Sequence, residues 1–389
     1  MNFLVKEKHL KIVEKVKEFA EQEVKPVIVK FDEEEKFPVD IIRKLGELKV
    51  FGMHVPEEYG GMGTDTLSYI MTVEELAKVD SSVAACLTAH NSLGIGPILE
   101  FGSEQQKKER LPALCTGENL WAFGLTEKNA GSDALGVETR AKPDGDQYVL
   151  NGSKIFITNG YSELTRGLTV LAQTGLYNGK KELSTLLVDK ETPGFTGKTM
   201  HGKLLWRAVN NAELNFDNCR VPEENLLGKR GQGSKVMLKT LDSGRLSVAA
   251  MGLGLAEGAY AMARDYAKKR QQFGKPISHF QVISFKLADM AMKIELAKNT
   301  LYNACWLKDQ GKEFSKQAAM AKLYSSEIAG EIANEAMQIF GGYGFLKENH
   351  IERFFRDQKL LQVGEGTSEI LRLVISRKIM KENEKPYES

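Results

Sequence analysis

Four short segments carry residue types that could do chemistry. Gly124-Leu125-Thr126-Glu127-Lys128-Asn129-Ala130-Gly131-Ser132-Asp133 gathers hydroxyl and small side chains where backbone N–H groups can face a ligand, although taken alone it reads first as a polar loop. In Phe156-Ile157-Thr158 strand alternation puts an aromatic ring and a hydroxyl on one face. That pair suits a flat heteroaromatic ligand and is also ordinary for half-buried sheet. Gln338-Ile339-Phe340-Gly341-Gly342-Tyr343-Gly344 reads as a helix end whose glycines serve a C-cap and permit close backbone approach. Val363-Gly364-Glu365-Gly366-Thr367-Ser368-Glu369 sets a carboxylate between glycines ahead of an apolar helix beginning near Ile370. By default such a glutamate is solvated or serves the helix N-terminus.

Other patterns fail their structural tests. Gly228 to Lys235 (GKRGQGSK) nearly spells a phosphate loop, but the lysine does not follow the last glycine and no buried strand precedes it, so it reads as a linker. Gly252-Leu253-Gly254 lacks the third glycine of a dinucleotide turn and sits in a helical pattern, where close helix packing explains it better. Asp242-Ser243-Gly244 has no histidine partner for a serine nucleophile. The six histidines show no ligand spacing, and no metal is expected. Cys86, Cys115, Cys219 and Cys305 lie far apart without CxxC spacing, against both a disulfide framework and a zinc site and in favour of a reducing compartment.

The elements that must position these segments fall into three stretches. Ile12, Val16 and Phe19 recur at helical steps; further helical blocks run from Leu67 to Lys78 and from Ser82 to Phe101, and Ser103 caps another. From about Trp121 the texture becomes strand and turn: Val137 to Ala141, a turn at Pro143-Asp144-Gly145-Asp146, Tyr148 to Leu150, a tight turn at Asn151-Gly152, Lys154 to Thr158, then Leu168 to Gln173, Ser184 to Val188 and Ala212 to Phe216. After Gly228 to Gly233 the chain is helical again, and Leu246 to Tyr260 reads as a buried helix short of the roughly 20 apolar residues of a membrane span.

Length and charge set outer bounds. At 389 residues two or three domains are expected, and 42% hydrophobic with 27% charged residues is an ordinary globular composition. Fifty-three Lys and Arg nearly cancel 52 Asp and Glu, so no bulk charge favours nucleic acid or an anionic membrane. Met1-Asn2-Phe3-Leu4-Val5-Lys6-Glu7-Lys8 turns charged before any apolar stretch of signal-peptide length, and a cytoplasmic location is expected.

The four segments, in this order within a helix, β, helix chain, resemble the acyl-CoA dehydrogenase family over nearly the whole chain. The stretches Gly124 to Asp133 and Gln338 to Gly344, the latter continued by Glu348, Arg353 and Asp357, fit the family's two diagnostic patterns. The resemblance implies an α+β fold: an N-terminal all-α domain (1–120), a middle β-barrel or sandwich domain (121–230) and a C-terminal four-helix-bundle domain (231–389). It also implies an FAD enzyme that removes hydrogen from the α and β carbons of an acyl-CoA thioester to leave a trans-2-enoyl-CoA, with Glu365 as the base. Such a base must be within hydrogen-bond reach of the α proton and kept from water so that its basicity rises.

By the same resemblance the loop with Phe123, Gly124, Leu125, Thr126, Gly131 and Ser132 would hold the pyrimidine edge of the flavin, and Phe156, Ile157 and Thr158 would flank the ring. Arg270 would bind the pyrophosphate, with Phe273 and Gln281 nearby; Gln338, Gly341 and Gly342 would reach the cofactor from a neighbouring subunit; Thr367 and Glu369 would meet the adenosine. Ser132, Leu241, Asp242, Gly244, Arg245 and Gly366 correspond to substrate positions, and an arginine entering so apolar a helix is expected to be paired. A homotetramer and an electron-transfer flavoprotein partner are implied. Gly364 replaces the tyrosine common in relatives, which makes room for a branched or cyclic acyl group, and Leu204 to Asn211 departs from the family pattern. Gly244 stands where some relatives carry an alternative base, so Glu365 has no evident rival. Reversed flux as an enoyl-CoA reductase, an oxidase and a scaffold without chemistry are the other readings.

Overall fold

The computed structural model describes residues 5–381, so Met1 to Leu4 of the charged N-terminal stretch lie outside the described residues. The stripe of Ile12, Val16 and Phe19 forms α1 (Glu7–Phe19). It is followed by α2 (Ile28–Glu34), α3 (Val39–Glu47), α4 (Thr66–Ala77), α5 (Ser81–Thr88), α6 (Gly96–Phe101) and α7 (Glu104–Leu114). Ser103 caps α7 as its sequence suggests: its hydroxyl accepts from Gln106 N at 3.1 Å while the Gln106 side chain accepts from Ser103 N at 3.0 Å. The expected single helix from Ser82 to Phe101 is instead interrupted by π-helical turns over Ala89–Ile95. Buried side-chain bonds hold that wider stretch: Asn91 accepts from Gly52 N and donates to Val50 O, and His90 bridges Leu114 O and Trp121 N. Irregular helix of this kind recurs at functional sites.

The middle stretch is one mixed sheet. Its strands are β1 (Leu120–Gly124), β2 (Arg140–Asp144), β3 (Gln147–Thr158), β4 (Thr165–Tyr177), β5 (Lys180–Asp189), β6 (Phe195–Thr199), β7 (Asn211–Pro222) and β8 (Leu226–Leu227), ordered β6-β7-β3-β2-β4-β5-β8 with β1 parallel to β4. The tight turn expected at Asn151-Gly152 does not exist. β3 runs straight through it with a shift of register against β7, a bulge at which Gly152 has φ +144°. Glycine is required because a Cβ there would come within 2.7 Å of Thr139 Cα. The sequence signal was real, but it marks a bulge.

Helices return with α8 (Gly233–Lys269), then a short hairpin of β9 (Gln271–Gln272) and β10 (Lys275–Pro276), α9 (Gln281–Asp309), α10 (Ser315–Phe340), α11 (Ile351–Val363) and α12 (Ser368–Ile379). Helices α8 to α11 make the bundle and α12 lies against α10. Among the described residues α8 alone is long and apolar enough to cross a membrane, which corrects the expectation that its apolar stretch is too short; 78% of that stretch is buried inside the protein. Gly254 and Gly258 let it touch α4 and its C-terminal residue, since a Cβ at either would lie 2.3 Å from Glu74 O or Lys78 O. The two helical stretches, remote in sequence, therefore share one core in which Phe19, Ile70, Leu253 and Ala329 all participate, while the sheet keeps a separate one around Leu150, Val170 and Phe216.

Candidate active site

Between α11 and α12 the chain turns through Gly364, Glu365 and Gly366. Gly364 is extended, whereas Glu365 and Gly366 have φ of +53° and +98°. A left-handed glutamate costs about 1–2 kcal/mol, so other contacts must hold it. Thr367 caps α12 by accepting from Ile370 N at 3.3 Å, and Lys322 Nζ on α10 donates to Gly366 O at 2.6 Å.

The turn pushes the Glu365 side chain against α8 at Gly244. A Cβ on Gly244 would stand 2.0 Å from Glu365 Oε2 and 3.0 Å from Leu93 Cδ2, so the missing side chain makes the space for the carboxylate. Oε2 is shut off from water and has no hydrogen-bond partner. Burial pushes the Glu365 carboxyl up to about 7, against the opposing pull of the Lys322 and Arg245 cations. Arg245, one residue on, is 6% exposed and paired as expected, with Asp242 Oδ1 at 2.5 Å; the same oxygen accepts from Ser315 at 2.9 Å. Leu241 on α8 and Leu93 from the π-helical turns pack on the cluster of Phe123, Leu125 and Ala130, which joins the glutamate's wall to the loop after β1.

That loop is held from beneath. Lys154, fully buried on β3, donates to Glu127 Oε1 at 2.7 Å and to Leu125 O at 3.1 Å. Glu127 also accepts from Glu138 N and Thr139 N, and Thr126 O accepts from Ile155 N at 2.9 Å. The tip with Gly131 and Ser132 is exposed, and a Cβ on Gly131 would meet nothing.

Next to it β3 bulges a second time, between Lys154 and Ile157, and Phe156 takes φ +61°. Simple alternation does not hold there. Phe156 is nevertheless 62% exposed, Ile157 is buried in the sheet core, and Thr158 is half-buried with its hydroxyl bonded by Asn211 Nδ2 at 3.0 Å. An exposed ring beside a positioned hydroxyl and an open glycine loop fits the edge and face of a flavin ring, whereas the Ile157 side chain is turned into the sheet core.

The remaining residues gather elsewhere. Arg270, at the end of α8, lies over the Tyr343 ring at 5.3 Å and lines a cavity of about 450 Å³ with Gly341 and Gly342. Neither Phe156 nor the loop after β1 lines that cavity. Phe273 is 93% exposed at the β9–β10 turn and meets Phe280 edge-on; Gln281 and Gln338 are exposed at helix ends. Thr367 and Glu369 sit on the first turn of α12, Glu369 exposed. No cluster of metal ligands occurs among the described residues, and all four cysteines are free and buried.

Three participants escaped the sequence reading. Lys154 was visible only as part of a strand, Leu93 only as part of a helix, and Lys322 only as one lysine in the small-residue face of Ala318, Ala319, Ser325 and Ser326. A lone cation in such a face was the available signal.

The comparisons with known proteins agree along the full length. Family models for the acyl-CoA dehydrogenase N-terminal, middle and C-terminal domains match residues 6–118, 122–219 and 231–380. The fold superposes on butyryl-CoA dehydrogenase from Megasphaera elsdenii with a TM-score of 0.95 and 42% identity, covering 98% of this chain and 100% of that one. It superposes equally, at 0.95 and 44% identity over 98% and 100%, on a chain solved in work on the electron transferring flavoprotein of Acidaminococcus fermentans and flavin-based electron bifurcation. A glutaryl-CoA dehydrogenase from Mycobacterium smegmatis in complex with FADH2 matches at 0.92 and 32% identity over 97% and 96%. The chain belongs to the acyl-CoA dehydrogenase family, and is an FAD-dependent acyl-CoA dehydrogenase.

Proposed function

We propose that this enzyme dehydrogenates short-chain acyl-CoA thioesters, branched or cyclic ones included, with Glu365 taking the α proton. The observation that carries this reading is the Glu365 carboxylate, whose Oε2 is shut off from water without a hydrogen-bond donor against the bare backbone of Gly244 and whose acidity burial weakens to about 7. A carboxylate with saturated lone pairs is a weak base; one left with a free oxygen in a dry site is a ready acceptor for a carbon-bound proton. A backbone N–H of the Glu365 to Gly366 turn would stabilise negative charge on the thioester oxygen as the α proton leaves. Arg245, anchored by Asp242, keeps α8 and the wall at Gly244 fixed.

Bound FAD would supply the acceptor for the β hydrogen and its electron pair. The residues that hold it are the loop Phe123 to Ser132, braced by Lys154 and Glu127, and the Phe156 and Thr158 pair beside it. Arg270 and Gly341–Gly342 share a cavity that these residues do not line, which favours their serving the cofactor of a neighbouring subunit, with Gln338 beside them. That arrangement requires an oligomer, and a homotetramer is the form proposed. Electrons then pass to an electron-transfer flavoprotein, in keeping with the Acidaminococcus match.

The short-chain assignment rests on the Megasphaera match and the branched extension on Gly364, the residue beside Glu365 that carries no side chain. Anaerobic bleaching of the flavin by straight, branched and cyclic acyl-CoAs tests both. Rapid bleaching by butyryl-CoA and by at least one branched C4–C5 thioester is expected. Bleaching confined to long straight chains would overturn the assignment.

A further inference from the structure

We propose that Lys322 is the positioning residue of the base: its ammonium fixes the Glu365–Gly366 turn through the Gly366 carbonyl and keeps the neighbouring carboxylate ionised. The inference rests on the reading of Glu365 as the base.

Lys322 is fully buried on α10 among Ala318, Ala319, Ser325 and Ser326. A buried ammonium is strongly disfavoured unless something nearby needs its charge. Its hydrogen bond at 2.6 Å goes to a carbonyl, Gly366 O, whose orientation follows from two successive left-handed residues. A charged donor reaching that carbonyl from the bundle locks a turn that the backbone alone would not favour. The same ammonium lies close enough to Glu365 for the two charges to act on each other.

The electrostatic surroundings are few. Glu365 is faced by Lys322 from α10 and by the Asp242-paired Arg245 from α8, and its charge is felt by Tyr69 on α4. Lys322 in turn feels Glu365, Arg245, Glu327 on its own helix and Glu369 on α12. Arg245 also acts on Glu365, but its charge is shared with Asp242, whereas Lys322 reaches the Glu365–Gly366 turn directly through Gly366 O. Burial pulls Lys322 down to about 8, so it is still protonated at neutral pH. In the reaction Glu365 goes from carboxylate to carboxylic acid as it takes the α proton; Lys322 keeps its own proton throughout, and its role ends at orientation and field.

The test compares the holoenzyme with Lys322→Met and Lys322→Gln. Two readouts are taken: the acid limb of the pH profile for anaerobic flavin reduction by butyryl-CoA, and the infrared titration of the carboxylic acid band that Glu365→Gln removes. Removing the cation is expected to raise both midpoints by about one pH unit or more. Lys322→Gln, which can still donate to Gly366 O, should show the shift with a smaller loss of the pH-independent rate than Lys322→Met. Should Lys322→Met not fold, Lys322→Gln carries the infrared midpoint alone. A folded yellow variant with both midpoints unchanged overturns the proposal for Lys322. If Glu365→Gln itself bleaches at the wild-type rate, the base assignment fails instead, so the two failures are distinguishable.

Discussion

Glu127 is buried and Glu365 is half-buried with Oε2 shut off from water, both in loops rich in glycine, yet their surroundings are opposite. At Glu127 burial is outweighed by the Lys154 ammonium and by hydrogen bonds from Glu138 N and Thr139 N, and its carboxyl stays below the usual range. At Glu365 burial wins: one oxygen has no donor, the adjacent lysine bonds a carbonyl instead, and the carboxyl rises to about 7. The first arrangement shapes a loop and the second stores basicity. Residue type and local glycine content did not decide this; the number of donors that reach each carboxylate did.

The contrast is most strongly tested by removing the cation from the saturated site. Lys154→Met leaves Glu127 charged and buried beneath the loop, and a loss of about 3–5 kcal/mol is expected, read from chemical denaturation together with weaker FAD retention. A variant that kept wild-type stability and colour would show that the pair does not brace the loop.

The opposite sign is expected at the other site. Because the folded pKa of Glu365 is raised above its ordinary value of 4.5, its ionisation opposes folding. The cost is absent below about pH 4.5, grows as pH rises, and is complete above about 7. Glu365→Gln should therefore be more stable than wild type by about 2–3 kcal/mol at pH 8, with the gain vanishing near pH 4. Denaturation midpoints at the two pH values check this, and a pH-independent difference would contradict it.

A smaller effect concerns the space beside Glu365. A Cβ at Gly364 would meet Leu360 O at 3.4 Å and Leu360 Cγ at 3.9 Å with φ extended, so a side chain is tolerated there. Gly364→Tyr should keep turnover of butyryl-CoA and lower kcat/KM for branched thioesters roughly tenfold. Equal loss for both substrates would place the acyl chain elsewhere.

Much of this was legible in the sequence because it depends on local pattern. The stripe of α1, the Ser103 cap and the glycines around Glu365 each announce themselves within a few residues. The Gly252-Leu253-Gly254 packing reading held too, with Gly252 against Ser325 and Gly254 against Glu74. What stayed hidden is tertiary. Nothing near Gly152 distinguishes a bulge from a turn, because Thr139 creates the constraint from the adjacent strand β2 side. Likewise the bond of Lys322 to Gly366 spans 44 positions, and the fit of Gly244 to Glu365 spans 121. Phe156 was selected for a shared strand face, but its exposure comes from a bulge and a left-handed backbone.

The most direct measurement is the anaerobic rate of flavin bleaching by butyryl-CoA in wild type, Glu365→Gln and Glu127→Gln, each loaded with FAD, across pH 5 to 9. The account predicts that wild type loses rate about tenfold per unit below about pH 7, and that Glu365→Gln stays yellow with a rate lower by about 10²–10⁴. Glu127→Gln, once loaded, should keep the wild-type pH midpoint. A Glu365→Gln enzyme that bleached at the wild-type rate, or a midpoint that moved with Glu127 instead, would contradict it.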